Sequence, residues 1–370
     1  MKRFIEAGMG IEPDPAKRFI DTDLGMMTIV PPAGASRQAL RGFNPDQPRD
    51  SSGKWTSGGG GGSSAGDSGG SSGGGGGGSS GAGPAHVPGT AAHDQREAHR
   101  QAREGKTYTA ANPDAVETDK RYQTTDGSYT PERAAMHREI VDDALAGVPK
   151  SENPTLYMMG GGPAAGKSSI IKNGDVTHPE AHVLANPDVF KEDIPEYRAG
   201  VAAGNLDAAA DAHEESSFLN ARVMAAAAAG GRDTVWDGTG DSSIEKLESK
   251  VTAFRQAGFR IQADYVTCDT EAAVARSNAR AEKTGRKVPE GPIRETHAKV
   301  SAIWPEAVRR GLFDESTLYD TNAGGRPVKI ASAKGTKLTV HNQAAYQRFL
   351  DKANGLDFAR AERSTPARGR

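Results

Sequence analysis

The chain has 370 residues, 46 of them glycine, with a 35% hydrophobic share and a formal charge of -2. That length holds two or three average domains, but the composition leaves much of the chain without a core, so one folded domain with disordered arms is expected. The near-neutral charge gives no general polyanion-binding signal, which argues against nucleic acid, and no apolar run approaches the roughly 20 residues that cross a bilayer.

The N-terminus, Met1-Lys2-Arg3-Phe4-Ile5-Glu6, lacks the apolar core of a signal peptide. Cys268 is the single cysteine, which excludes an internal disulfide and suits a reducing cytosol. A cytoplasmic location with no membrane partner is therefore expected.

Residues 1 to 56 form a mostly irregular arm with short apolar pieces such as Met26 to Val30, enough for a strand or two but not for a core. Within it, Phe43-Asn44-Pro45-Asp46-Gln47-Pro48-Arg49-Asp50 with Gly53-Lys54-Trp55-Thr56 resembles a short segment that recurs in phage-encoded proteins near flexible joints. The resemblance implies a phage or prophage origin; an ordinary turn-rich arm is the equal alternative. From Ser57 to Gly83 only Ala65, Asp67 and Ala82 are neither Gly nor Ser, which predicts a flexible linker whose ends lie on the order of 30 Å apart. Residues 84 to 128 read as a polar connector, with a short exposed helix over His93 to Arg103. His93 and His99 are spaced off a common helical face and do not suggest a metal site.

The main domain is expected over 129 to 345. Thr130 and Pro131 open a helix whose stripe of Met136, Ile140, Ala144 and Leu145 runs to Gly147. Apolar runs at 155 to 160, 182 to 185, 233 to 236, 260 to 267 and 316 to 320 then alternate with helical stretches at 167 to 172, 206 to 229, 243 to 257, 270 to 283 and 293 to 310. This alternation predicts an α/β fold with a parallel sheet flanked by helices. Segments 328 to 331 and 337 to 340 add a terminal hairpin, and 346 to 370 a C-terminal helix with a frayed tail.

Between the first strand and the next helix lies Gly161-Gly162-Pro163-Ala164-Ala165-Gly166-Lys167-Ser168-Ser169, which fits G-x-x-x-x-G-K-[ST] in the strand-loop-helix context that a P-loop requires. Its amides would cradle phosphates, Lys167 would reach the β- and γ-phosphates of ATP, and the Ser168 hydroxyl would ligate Mg²⁺. The weaker alternative is a glycine turn with a surface lysine. In an open parallel sheet ligands bind beyond the carboxyl ends of the strands, which singles out Asp188 after the second strand and Asp237 with Thr239 after the third. A hydroxyl-phosphorylating kinase uses one carboxylate to accept the proton and another for Mg²⁺, so Asp188 is the candidate base and Asp237 the candidate metal and substrate residue. An N-cap for Asp188 and a turn residue for Asp237 are the plainer readings. Arg276, Arg280, Lys283, Arg286, Lys287 and Arg294, interrupted by Gly285 and Pro289, look like a lid able to neutralise phosphate charge. A solvated basic face is the alternative, and His297 is expected on a helix surface.

Together, the loop 161 to 168, Asn186-Pro187-Asp188-Val189-Phe190, Asp237-Gly238-Thr239-Gly240, Arg280 and Gly285-Arg286-Lys287-Val288-Pro289 resemble the zeta toxin family of P-loop kinases over about Tyr129 to Tyr319. The resemblance implies that Asp188 takes the proton from a sugar 3′-hydroxyl, that Arg280 and Arg286 contact ATP phosphates, that the acceptor is UDP-N-acetylglucosamine, and that an antitoxin is a partner. Two positions depart from the family. Asp237 stands where glutamate is usual, and a substrate-contacting glutamate falls at or near Ala221, with Glu214 and Glu215 upstream. Other acceptors, a nucleic-acid 5′-hydroxyl or an antibiotic hydroxyl, stay open. So does a non-enzymatic phage interaction protein, virion-associated, whose arm presents residues 43 to 56 to a partner.

Overall fold

The computed structural model describes residues 84–205, 207–284, 288–322 and 326–364, together with the short strands β1 (Phe19–Asp21) and β2 (Met27–Ile29), which pair antiparallel. The expected strands of the arm are thus present; the rest of the arm, segment 43 to 56 and the Gly/Ser linker lie outside the described residues. In chain order there follow α1 (Ala91–Arg103), α2 (Thr118–Tyr122), α3 (Pro131–Leu145), β3 (Thr155–Gly160), α4 (Lys167–Lys172), β4 (Val183–Ala185), α5 (Pro187–Lys191), α6 (Pro195–Ala202), α7 (Ala208–Asp211) and α8 (His213–Gly230). The second half comprises β5 (Thr234–Asp237), α9 (Ile244–Gln256), β6 (Arg260–Thr267), α10 (Thr270–Thr284), α11 (Glu290–Arg309), β7 (Glu315–Asp320), β8 (Val328–Lys334), β9 (Lys337–Val340) and α12 (Gln343–Ser364).

The main sheet has seven strands in the order β4-β5-β3-β6-β7-β8-β9. β4 to β7 are mutually parallel, and β8 and β9 extend the edge antiparallel, so the expected terminal hairpin is part of the sheet. β3 sits centrally with β5 on one side and β6 on the other. The order of connections reverses around it, which opens a crevice at the carboxyl end of β3.

Alternation along β3 splits the core. Leu156 and Met158 pack with α9, α11 and α12, through Leu247, Phe254, Trp304 and Phe349, while Met159 packs with Ile170 of α4 and Val274 of α10. The buried Trp304 indole donates to Ser316 Oγ at 2.9 Å, satisfying its one polar atom. A third apolar cluster joins α3 and α8 to Val183 and Phe190. The expected helix 206 to 229 is broken at Ala212, and Gly231 closes α8 in the left-handed conformation at φ 59. Pro131 opens α3 as read, but Thr130, at the cap position, makes no side-chain cap bond.

One expectation is overturned here. The helix over 93 to 103 is not exposed: Arg96 and Arg103 are buried, because α1 docks its arginines on acidic side chains of α3 and of the turn after α5. Next to it, α3 is fastened to α8 by Arg133, which is fully buried and reaches Glu215 at 2.6 and 2.9 Å, with His137 Nε2 2.6 Å from the same carboxylate. No helix among the described residues is long and apolar enough to cross a membrane.

Candidate active site

The loop 161 to 166 leaves β3 at the centre of the sheet, and its conformation depends on glycine at defined points. Gly161 has φ 141 and a Cβ there would lie 2.6 Å from Val266 O; Gly166 caps α4 at φ 99. Ala164 takes φ 57, a left-handed conformation that costs a non-glycine residue on the order of 1 kcal/mol. Lys167 and Ser168 are the first residues of α4, where backbone N–H groups have no intrahelical partner, and such successive amides form an anion-binding concavity. The Ser168 side chain is exposed at this mouth and Ala165 is buried behind it.

The loop is braced from outside. Gly161 N donates to Thr239 O at 3.1 Å, and Gly238 N to Met159 O at 3.2 Å, which ties the turn after β5 to the loop. Thr321 Oγ1, just past β7, donates to Ala165 O at 2.7 Å and accepts from Arg276 Nη1 at 3.0 Å. His297 Nε2 lies 2.9 Å from Pro163 O, and a Cβ on Gly162 would meet the imidazole at 2.3 Å. These contacts fix the carbonyls of Pro163 and Ala165 on partners outside the loop.

Four charges converge on the crevice. Lys167 is buried, and its ammonium donates to Gly161 O at 2.9 Å. Burial pushes its pKa down, the nearby carboxylates of Asp237 and Asp188 act the other way, and Arg280 adds to the lowering. Burial raises the Asp237 carboxyl, opposed by Lys167 and reinforced by Asp188. Asn186 Nδ2 donates to Asp237 Oδ2 at 3.1 Å, while Asp237 Oδ1 is buried without a hydrogen-bond partner. The same Asn186 caps α5, its Oδ1 accepting from Asp188 N at 2.9 Å, so the N-cap reading of Asp188 gives way to Asn186. Asp188 stands in the first turn of α5 with its carboxylate 2.6 Å from the buried Lys191 Nζ and 18% exposed. It is thus held by an ion pair and remains partly exposed.

The lid arginines separate into two groups. Arg280 reaches the site electrostatically. Arg276 is turned instead to Thr321 O at 2.6 Å, and Arg294 pairs with Glu271 at 3.0 Å on the surface. These two carry structural contacts, because fixed acceptors lie within their reach. Arg286, with Gly285 and Lys287, lies outside the described residues. His297 is a further correction, since it is 2% exposed and braces the phosphate loop. Asn186, Thr321 and Lys191 were not singled out from the sequence. Asn-Pro before a helix is a cap signature, and Thr321 is the first residue past a parallel strand, so both carried a readable signal.

The donor set suits Mg²⁺. Among the described residues no group of three or more His, Cys, Asp or Glu could form a protein cage for a metal. Mg²⁺ at a phosphate site typically takes one or two carboxylates plus phosphate oxygens and waters, and the orphaned Asp237 Oδ1 together with the exposed Ser168 offers donors of that kind.

A central parallel strand, a G-x-x-x-x-G-K-[ST] loop and carboxylates at the neighbouring strand ends define a P-loop kinase fold. The zeta toxin family model matches residues 138–325, and the chain belongs to that family. Among curated proteins it is 27% identical over 239 residues to a calmodulin calcium-dependent NAD kinase of Arabidopsis thaliana, a match covering 51% of this chain. The chain spans 44% of the length of that relative. Among solved structures it is similar to the AvrRxo1-ORF1:AvrRxo1-ORF2 complex with ATP, at 20% identity and a TM-score of 0.49, covering 66% of this chain and 77% of that one. It is also similar to the PezAT chromosomal toxin-antitoxin system of Streptococcus pneumoniae, at 13% identity and a TM-score of 0.44, covering 62% of this chain and 98% of that one.

Proposed function

We propose that the protein is an ATP-dependent phosphotransferase that phosphorylates a hydroxyl of a small nucleotide-bearing molecule. The observation that carries this reading is the convergence of Asp188, Asp237 and Arg280 on Lys167 at the mouth of the phosphate loop. ATP lies with its phosphates over the loop Gly161, Gly162, Pro163, Ala164, Ala165 and Gly166 and the start of α4 at Ser168 and Ser169, with the backbone N–H groups of Gly162, Ala164, Gly166, Lys167 and Ser168 as the donors. Lys167 leaves Gly161 O for the β- and γ-phosphate oxygens, where its charge is fully developed. Ser168 and Asp237 would hold Mg²⁺, which would supply charge neutralisation on the transferring group. Asp188 accepts the proton of the acceptor hydroxyl as that oxygen attacks the γ-phosphorus and the bond to the ADP oxygen breaks. Arg280 and Arg286 balance the charge spread over the equatorial oxygens. Asp237 and Thr239 also face the acceptor.

For the acceptor, family membership supports UDP-N-acetylglucosamine or a related nucleotide sugar. The name of the Arabidopsis relative supports a second reading, the dinucleotide NAD, whose ribose hydroxyls present the same chemistry. Family membership also makes an antitoxin a candidate partner. A mass-spectrometric search for phosphorylated nucleotides after incubation with ATP and a panel of nucleotide sugars and NAD, with Lys167→Ala as control, decides between them. A new phosphate ester formed by wild type and absent with the variant supports the kinase; no acceptor-dependent ester from any panel member counts against it.

A further inference from the structure

α5, which carries Asp188, has only five residues, too few to hold its shape alone. Its direction is set at its two ends. At the front, Asn186 caps it and holds Asp237. At the back, Asp193 follows it by two residues, with its backbone N–H bonded to Phe190 O at 3.1 Å and its side chain fully buried.

That carboxylate is gripped by α1. Arg96, Arg100 and Arg103 stand at i, i+4 and i+7, on one helical face. Arg96 Nε donates to Asp193 Oδ1 at 3.1 Å and its Nη2 to Oδ2; Arg100 Nε donates to Oδ1 at 2.7 Å; Arg103 Nη1 lies 3.7 Å away. Arg100 also reaches Val189 O, the neighbour of Asp188, at 3.4 Å, and Arg96 lies 5.4 Å over the Phe190 ring. The C-terminal half of α1 is also anchored on α3, where Arg103 bonds Glu139 at 2.8 Å and Asp143 at 3.2 Å, and His99 lies 2.8 Å from Asp143. α1 therefore spans from α3 to the base-bearing segment, although it precedes the residues that match the family.

We propose that α1 is a positioning element for phosphoryl transfer: its arginines, clamped on Asp193 and Val189 O, set the direction in which α5 presents Asp188. The inference rests on the reading of Asp188 as the base. The phosphate loop is braced by other residues, Thr321 and His297, so loosening the clamp moves the base without moving the nucleotide site.

The test uses the full chain with Arg100→Gln and Arg100→Lys, since Arg100 is the partly exposed member of the clamp and Arg96 and Arg103 remain to hold Asp193. A misplaced base costs up to about 10²-fold in turnover. Arg100→Gln is expected to lower kcat by about tenfold to 10²-fold, with KM for ATP and melting temperature near wild type, and Arg100→Lys, which keeps the charge without the fork, to fall between. Should Arg100→Gln fail to fold, the same split in Arg100→Lys decides. Unchanged kcat, or a fall in kcat matched by weaker ATP binding, overturns the inference. Asp188→Asn measured in parallel separates the two ideas: wild-type turnover in that variant removes the base itself, whereas a silent Arg100→Gln beside an inactive Asp188→Asn removes only the clamp.

Discussion

His297 Nε2 sits 2.9 Å from the carbonyl oxygen of Pro163, so a helix that begins after the lid segment supports the phosphate loop from behind. The imidazole also fills the space in which a side chain on residue 162 would lie. Gly162→Ala places a methyl group 2.3 Å from the ring, so the loop or the ring must move. ATP affinity, measured by calorimetry, is expected to fall by about tenfold or more, equivalent to about 1.4 kcal/mol, while the melting temperature stays close to wild type. Adding His297→Ala should restore part of it.

Asp237 offers a second test. Its buried carboxyl is raised above the usual carboxylate range, so the acid limb of the rate profile should lie higher than for an ordinary aspartate. Asp237→Asn keeps the bulk and removes the charge. Turnover is expected to drop by at least tenfold, with the Mg²⁺ concentration for half-maximal rate raised, if the carboxylate helps to hold the ion. A magnesium titration of both proteins checks this.

Stability should decline in mild acid. Burial holds the folded-state pKa of His213 at about 3 and of His297 at about 4, against 6.5 for an ordinary histidine. Each is neutral in the folded protein at pH 5 and protonated when unfolded, so the unfolded state binds more protons and stability falls as pH drops below about 6.5. Each contributes on the order of 1–2 kcal/mol of loss at pH 5. Urea melts at pH 5 and 7.5 measure the difference, and His297→Gln should reduce it.

The Arg133–Glu215 pair is the strongest candidate for a large structural effect. Both side chains are fully buried, and Arg133 and His137 hold the Glu215 carboxyl well below the usual range despite its burial. Glu215→Gln leaves Arg133 with only the half-buried Glu196 as a charged partner and is expected to cost about 3–5 kcal/mol in denaturant unfolding at pH 7. In the wild type this contribution is complete above about pH 4.5 and is lost as pH falls further, because the folded-state pKa is depressed.

The parallel sheet and the phosphate loop were legible because period-two apolar runs and a glycine-rich loop are local signals, readable without knowing what packs on what. Asp188 and Asp237 were legible by one topological rule, that polar residues past strand ends line the crevice. The roles of Arg276 and Arg294 were not, since a guanidinium's target depends on acceptors more than 20 residues away in sequence, Thr321 and Glu271. The docking of α1 escaped for the same reason: a helix rich in Arg and His reads as solvated until Asp193 and Asp143 are brought to it by the fold. Likewise His297 sits on a helix whose neighbours in sequence give no hint of the loop it supports.

The most direct measurement is transfer of labelled γ-phosphate from ATP to a nucleotide acceptor by wild type and Asp188→Asn, with ATP affinity determined for both. The kinase account predicts labelled acceptor with the wild type and, with the variant, transfer reduced by about 10²-fold or more at unchanged ATP affinity, the range that a positioned base contributes. Equal transfer by both proteins would contradict it.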